Sequence, residues 1–244
     1  YNRVRIQQLA VNPTLFREGR YGTKISFGVN FERLKVEDTF DRYVLEAELP
    51  NDIFEGKHYA STSLAYAYDN YDNKAFPTLG FTFLAQASWH MNLENFNQNF
   101  ASLDTHLCFT HPLHANGKLV FSTLAKGKVI FNDNFEFFQG AYIGGNNGLR
   151  GFRNERFLGR HSFYQSSDVR WQIGSAKGFI PMKYGVLAGF DYGRVWRSGE
   201  NSDKWHNTFG GGFWLNAAEL TSLSVNYFQS KEGNRFSFGL AFNF

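Results

Sequence analysis

The sequence predicts an all-β protein whose antiparallel strands form a transmembrane barrel. Aromatic residues make up 18% of the chain, and 24 glycines accompany only 5 prolines, a balance that favours strands and tight turns over helices. No segment approaches the roughly 18 apolar residues that a membrane-spanning helix needs. The mean hydropathy of -0.39 does not argue against barrel strands, because only one face of such a strand meets lipid.

Strict alternation of apolar and polar residues is the strongest observation. In residues 23–33, Ile25, Phe27 and Val29 lie on one face, while Lys24 and Ser26 lie on the other. The same period of two recurs along the chain and predicts about eleven strands, each long enough to cross a bilayer. They lie near residues 2–12, 23–33, 57–69, 80–92, 99–112, 117–131, 161–174, 181–196, 205–216, 220–228 and 234–244.

The connections between these strands alternate in length. Compact turns near 70–79, 113–117, 175–181 and 217–221 are interleaved with longer or more polar links, of which residues 132–160 form a long glycine-rich example. Short turns on one side and long loops on the other are typical of transmembrane barrels. A soluble sandwich is the alternative, but its strands average only about 5–6 residues.

Four motifs carry a resemblance to a known family. Leu149-Arg150-Gly151-Phe152 resembles the [VL]-R-G-[FY] motif in the long extracellular loop of the outer-membrane insertase and secretion-porin superfamily. This superfamily includes BamA-like insertases, two-partner secretion transporters and bacterial surface antigen barrels. The other matches are an acidic-x-basic motif at Asp168–Arg170, where the family more often has Glu, an F-x-D-x-G-like segment around Asp191, and D-N-x-x-x-P-T-x-G at residues 72–80.

The resemblance implies a barrel of sixteen strands. Because only about eleven are counted here, residues 1–244 are expected to be the C-terminal barrel part of a longer protein, with the remaining strands and any periplasmic domains before residue 1. The implied location is the outer membrane of a Gram-negative bacterium.

The long loop 132–160 is expected to fold back into the barrel lumen and to be pinned there as a latch. Glycines such as Gly151 let the backbone approach a wall closely, and Phe152 would serve as an apolar anchor beside them. An arginine withdrawn from water needs carboxylates within reach, and Asp168 and Asp191 lie on the polar faces of adjacent strands. The predicted latch consists of Arg150, Gly151, Phe152, Asp168, Arg170 and Asp191. A mobile surface hairpin is the alternative.

The last eight residues resemble an outer-membrane targeting signal. They place Gly239, Phe242 and Phe244 in the pattern polar-x-Gly-x-x-apolar-x-apolar that ends in an aromatic residue. The alternative is an ordinary amphipathic last strand, which would have the same physical properties.

No catalytic, cofactor-binding or metal site is predicted. His111 and His114 bracket a turn without acidic or cysteine partners, and Cys108 is the single cysteine. No serine lies in Gly-x-Ser-x-Gly, and the glycine-rich loop lacks the Lys-Ser/Thr of a phosphate-binding loop. A net charge of +3 with scattered lysines and arginines argues against nucleic acid as a partner.

The expected function is insertion or translocation of proteins at the outer membrane. The expected partners are outer-membrane lipid, unfolded outer-membrane or secreted client proteins, and periplasmic partner subunits. An alternative remains open, because the segment 148–170 also resembles surface antigen barrels that follow metallophosphoesterase or patatin-like domains. In that case the barrel would be a membrane anchor or export port for an enzyme fused upstream.

Overall fold

A computed structural model describes residues 5–37, 54–197, 199 and 203–242. Their regular structure consists of strands and one short 3-10 helix at Phe137–Gln139. The strands are β1 (Ile6–Val11), β2 (Thr14–Glu18), β3 (Thr23–Val36), β4 (Lys57–Asp69), β5 (Gly80–Asn92), β6 (Asn99–Pro112), β7 (Leu119–Ile130), β8 (Ala141–Ile143), β9 (Phe157–Gly159), β10 (His161–Ala176), β11 (Met182–Trp196), β12 (His206–Ala217), β13 (Thr221–Ser230) and β14 (Gly233–Phe242).

One antiparallel sheet contains all strands except β8 and β9. Its order is β1-β3-β4-β5-β6-β7-β10-β11-β12-β13-β14, and β2 also pairs with β3. Among the described residues, no pairing joins β14 to β1 or β2, so the sheet is curved but not closed. β8 and β9 form a separate two-stranded hairpin inside the long loop.

β1 and β2 are two halves of one interrupted strand. Val11 pairs with Phe31 and Thr14 pairs with Gly28, so the register along β3 continues unbroken. Pro13 has no N–H to give to the ladder, which accounts for the interruption. Counted in this way, the sheet has eleven strands, and the predicted number is confirmed.

The two faces of the sheet differ as the alternation predicts. On β14 the outward side chains of Phe236, Phe238, Leu240 and Phe242 are 69%, 81%, 59% and 48% exposed. Large apolar side chains in such a continuous band are stable only against lipid or another apolar partner. No second layer of sheet covers this band in the described part of the chain, so the sandwich alternative is wrong.

The inner face carries the buried polar side chains. Asp191 and Thr208 are completely buried, and Arg170 and Asn216 are nearly so. These groups face the concave side, where the long loop and one turn pack against the wall. Among the described residues no helix has the length and hydropathy required to cross a membrane.

Candidate functional site

The long loop returns into the concavity of the sheet and builds a small apolar core there. Ile143 and Leu149 are completely buried, and they cluster with Phe152, Phe157 and the wall residue Tyr164. The hairpin of β8 and β9 gives this segment regular backbone hydrogen bonds that its sequence does not indicate. The loop is therefore an ordered part of the barrel interior rather than a surface hairpin.

Arg150 is the polar centre of the site. Its Nη2 lies 2.6 Å from Asp191 Oδ1 and 2.8 Å from Asp168 Oδ1, so one guanidinium bridges two adjacent strands. The Arg150 backbone N–H also donates to Asp191 Oδ2 at 2.9 Å, which fixes the loop backbone as well as the side chain. Thr208 Oγ1 donates to the same Asp191 oxygen at 2.8 Å. The structure thus brings Arg150, Asp168 and Asp191 into direct contact.

The electrostatics of Arg150 follow from this geometry. Burial opposes the charged form, but the hydrogen bonds and negative charge of Asp191 and Asp168 outweigh burial and raise the pKa of Arg150. The guanidinium also lies over the Phe228 ring at 3.9 Å, a cation–π contact from β13. Arg150 is therefore permanently charged and held by three strands of the wall.

Glycines make room for the loop at its closest approaches. Gly148 has a φ of +84°, and a Cβ there would lie 1.9 Å from the Tyr164 ring. A Cβ on Gly151 would lie 2.9 Å from the Gln229 backbone, so this predicted site residue is a point of backbone contact with β13. Gly189 faces Asp168 across the β10–β11 pair. A Cβ added to Gly189 would lie 2.7 Å from Arg150 Nη2. Residues with side chains at these positions would displace the loop.

Phe152 is 3% exposed and packs edge-to-face on Phe157, with ring centroids 5.1 Å apart. Its carbonyl oxygen accepts a hydrogen bond of 2.6 Å from Arg235 Nη1 on β14. His206 stacks on Phe157 at 3.7 Å and covers the other side of this cluster. Phe152 therefore joins the apolar core of the loop to the last strand of the sheet.

The prediction that Arg170 belongs to the latch is corrected by the structure. Arg170 is 8% exposed, but its Nη2 donates to the Pro77 carbonyl oxygen, and its guanidinium lies over the Phe76 ring at 4.2 Å. Both partners belong to residues 70–79, here called the periplasmic turn after the family motif that residues 72–80 resemble. Arg170 shares the inner face of β10 with Asp168, but it lies about 6.7 Å further along the strand. It therefore meets a different part of the chain.

Comparison with known proteins identifies the family. A model of the Omp85 superfamily domain matches residues 1–244. The chain belongs to the Omp85 superfamily. Its strands accordingly cross the outer membrane of a Gram-negative bacterium.

Solved structures agree with this Omp85 fold. BamA from Haemophilus ducreyi lacking POTRA domains 1–3 matches with a TM-score of 0.73 at 15% identity, over 97% of this chain and 54% of that chain. CdiB from Escherichia coli matches with a TM-score of 0.65 at 14% identity, over 99% and 45%. At such low identity the likeness shows the fold alone, and the chain spans about half the length of these structures. A search of curated proteins found no match.

The predicted C-terminal signal lies on the outermost strand of this Omp85 sheet. Phe242 is half exposed on the lipid-facing side, and Gly239 lies on the inner face, where a Cβ would be 2.5 Å from Ser224 Oγ. Phe244 lies outside the described residues. The position fits either a signal or an ordinary last strand, so the signal stays a prediction.

Sequence analysis missed several residues that hold the loop. Thr208, Phe228 and Arg235 each contact Arg150, Asp191 or Phe152 from strands that follow the motif-bearing ones. Alternation places these three positions on the inner face, but it does not say how far along the barrel axis each one lies. Among the described residues, no group of three or more His, Cys, Asp or Glu side chains could hold a metal ion.

Proposed function

We propose that this Omp85 barrel acts in the insertion or translocation of proteins at the outer membrane. The observation that carries the proposal is the pinned loop, in which Arg150 is bound by Asp168 and Asp191. A loop held by a buried ion pair is a fixed structural part of the lumen rather than a mobile surface segment. We assign the chain no cofactor and no enzymatic step.

The loop is tied to the last strand of the sheet. It contacts β10 and β11 through Arg150, β13 through Phe228, and β14 through the bond from Arg235 to the Phe152 carbonyl. In the full-length barrel β14 would close weakly against the first strand, and the edge it leaves unpaired could template an incoming strand by backbone hydrogen bonds. The pinned loop would hold this template edge in a fixed position while a client strand adds to it.

The partners in this proposal are outer-membrane lipid, unfolded outer-membrane or secreted client proteins, and periplasmic partner subunits. Lipid would contact the band of outward apolar residues, as on β14. The proposal treats residues 1–244 as the C-terminal barrel of a longer protein. Phe242 and the residues after it would also serve as the signal for delivery to the membrane.

Reconstitution tests the proposed activity. The full-length protein in vesicles of outer-membrane lipid is expected to increase the yield of folded client barrel over protein-free vesicles. Arg150→Ala should lower this yield, whereas Arg156→Ala should not, because the Arg156–Glu232 pair is largely exposed and contributes little. Heat-modifiable mobility on gels would show that each variant is folded.

The same experiment distinguishes insertion activity from the alternative, in which the barrel anchors or exports a fused enzyme. A barrel that only anchors or exports a fused enzyme would give no more folded client than protein-free vesicles, with or without Arg150. That result in the wild-type protein would overturn the proposal that the barrel inserts proteins. Secretion of a client across the vesicle membrane would then test translocation.

A further inference from the structure

The periplasmic turn, residues 70–79, does not lie where a connection between neighbouring strands would normally lie. It joins β4 to β5, yet Phe76 packs on Trp214 of β12 with ring centroids 4.5 Å apart. Asn73 Nδ2 donates to the Glu219 carbonyl oxygen in the β12–β13 turn at 2.8 Å. In the sheet, β6, β7, β10 and β11 separate β5 from β12. The turn therefore crosses the concavity at its periplasmic end.

The concavity also holds a cavity that residues 70–79 do not line. A cavity of about 600 Å³ is lined by wall residues including Asp104 and His106 of β6, and by Tyr142 of the long loop. Cys108, two residues after His106 on β6, interacts electrostatically with Tyr71 of the turn. The cavity thus lies on the loop side of the concavity, since Tyr142 lines it and no residue of 70–79 does.

The turn has its own internal structure. Asp72 Oδ1 accepts backbone hydrogen bonds from Asn73, Thr78 and Leu79 at 2.9, 2.9 and 3.2 Å, and the Thr78 hydroxyl donates to Asp72 Oδ2. Partial burial works against the charged form of Asp72, but these hydrogen bonds prevail and lower its pKa. Ala75, at the centre of the turn, is 7% exposed. The segment is a compact unit held by its own hydrogen bonds.

Arg170 holds this unit against the far wall by few contacts. Its Nη2 donates to the Pro77 carbonyl oxygen, while its buried Nε has no hydrogen-bond partner among the described residues. Asp168 and Asp72 also attract the Arg170 charge, but Arg170 forms no direct ion pair with either carboxylate. It is therefore held less firmly than Arg150, which two carboxylates bind directly. The turn is therefore attached by this hydrogen bond, the Phe76–Trp214 contact and the Asn73–Glu219 hydrogen bond, and none of these is an ion pair.

We infer that the periplasmic turn is a releasable plug of the barrel lumen, and that Arg170 is the residue that retains it. When the plug is seated, the turn lies across the end of the lumen opposite the long loop. When Arg170 lets go of Pro77, the turn can swing away on its connections to β4 and β5, and the periplasmic end of the lumen opens. This inference does not depend on which client the barrel handles.

Thiol labelling tests the role of Arg170. In the full-length protein with Cys108→Ser, Ala75→Cys provides a buried reporter that a membrane-impermeant maleimide can reach only from the periplasmic side after release. Arg170→Met is expected to raise the labelling rate by about tenfold or more, because hydrogen bonds to charged groups bias an equilibrium by at least that factor. Arg160→Met is the matched control, since Arg160 Nε also donates to a backbone carbonyl, that of Ile130, but at the extracellular end. It should leave the rate unchanged.

A cross-link tests the plug without changing Arg170. Cysteines placed at Asn73 and Glu219 in the Cys108→Ser background, joined by a short bifunctional thiosulfonate, would hold the turn against the β12–β13 turn. Ion conductance of the full-length protein in planar bilayers should fall on cross-linking and recover on reduction. Equal labelling of Ala75→Cys with and without Arg170 would overturn the inference, and so would conductance that the cross-link leaves unchanged.

Discussion

Arg150 and Arg170 are two buried arginines on the inner side of one barrel, and carboxylates compensate them to different degrees. Arg150 forms direct ion pairs, whereas Asp168 and Asp72 act on Arg170 without one. Arg150 contacts two carboxylates and one aromatic ring. Arg170 contacts a neutral carbonyl and one aromatic ring. Charge compensation accounts for most of the stability of a buried ion. Arg150 therefore holds the loop firmly, whereas Arg170 holds the turn more weakly. The long loop at one end of the lumen is therefore held more firmly than the periplasmic turn at the other end.

The largest expected effect comes from removing the fully buried carboxylate. Asp191→Ala leaves Arg150 and Thr208 without their shared acceptor and should lower the free energy of unfolding by about 3–5 kcal/mol. Asp168→Ala should cost less, because the Asp168 side chain is 25% exposed and water can replace it in part. Urea unfolding of the protein in lipid vesicles measures both values. Equal losses would show that burial does not set the strength of the latch.

Gly148→Ala should disturb the loop without touching a charge. Its Cβ would clash with the Tyr164 ring at a left-handed backbone position, for an expected cost of about 2–4 kcal/mol. Gly117→Ala is the control, since Gly117 has a φ of +67° but no atom within 4 Å of its Cβ. It should lose only the conformational part, about 1–2 kcal/mol. If the two variants unfold at the same urea concentration, the loop is not packed against Tyr164.

Arg170→Met should have a smaller effect on global stability than Asp191→Ala. The change leaves one neutral carbonyl without its donor, but it also removes an incompletely compensated buried charge, so a loss below about 2 kcal/mol is expected. The same urea titration measures it. A loss as large as that of Asp191→Ala would remove the distinction between the two arginines.

The smallest effect concerns pH and the turn alone. Because the pKa of Asp72 is lowered in the folded protein, its contribution is fully present above the ordinary value of 3.8 and is lost as the pH falls through the lowered value. The test is the labelling of Ala75→Cys in the Cys108→Ser background, after brief exposure to acid in that window and return to neutral pH. We expect more labelling than in protein kept at neutral pH throughout, because the turn unfolds when Asp72 is protonated. Asp72→Asn should remove the dependence on pH, and a dependence that persists would assign it to another group.

Much of the fold could be predicted from alternation. The predicted strands 57–69, 80–92 and 99–112 have the observed bounds of β4, β5 and β6. A period of two fixes which face of a strand each side chain lies on, and turns with glycine or proline mark the strand ends. Two features were not predicted: the break between β1 and β2 at Pro13, and the β8–β9 hairpin. Neither changes the long alternating runs from which the strands were predicted.

The site was predicted less completely, for a physical reason. Alternation places Asp168 and Arg170 on the same face, but their partners depend on their height in the barrel, which sets one beside the loop and the other beside the turn. The turn at 70–79 was expected to be a compact reversal, and its path across the lumen depends on contacts with strands more than ninety residues away. Such contacts follow from the curvature of the whole sheet, which no local pattern encodes.

A double-mutant cycle between Arg150 and Asp191 tests the central claim most directly. Arg150→Met, Asp191→Asn and the double variant would be unfolded with urea from the same lipid vesicles, next to the wild-type protein. If the loop is pinned by this contact, the two changes should be coupled by about 2 kcal/mol or more, because the second change removes a partner that is already lost. If the loss of unfolding free energy in the double variant equals the sum of the two single losses to within about 0.5 kcal/mol, the two residues act independently. That result would contradict a latched loop.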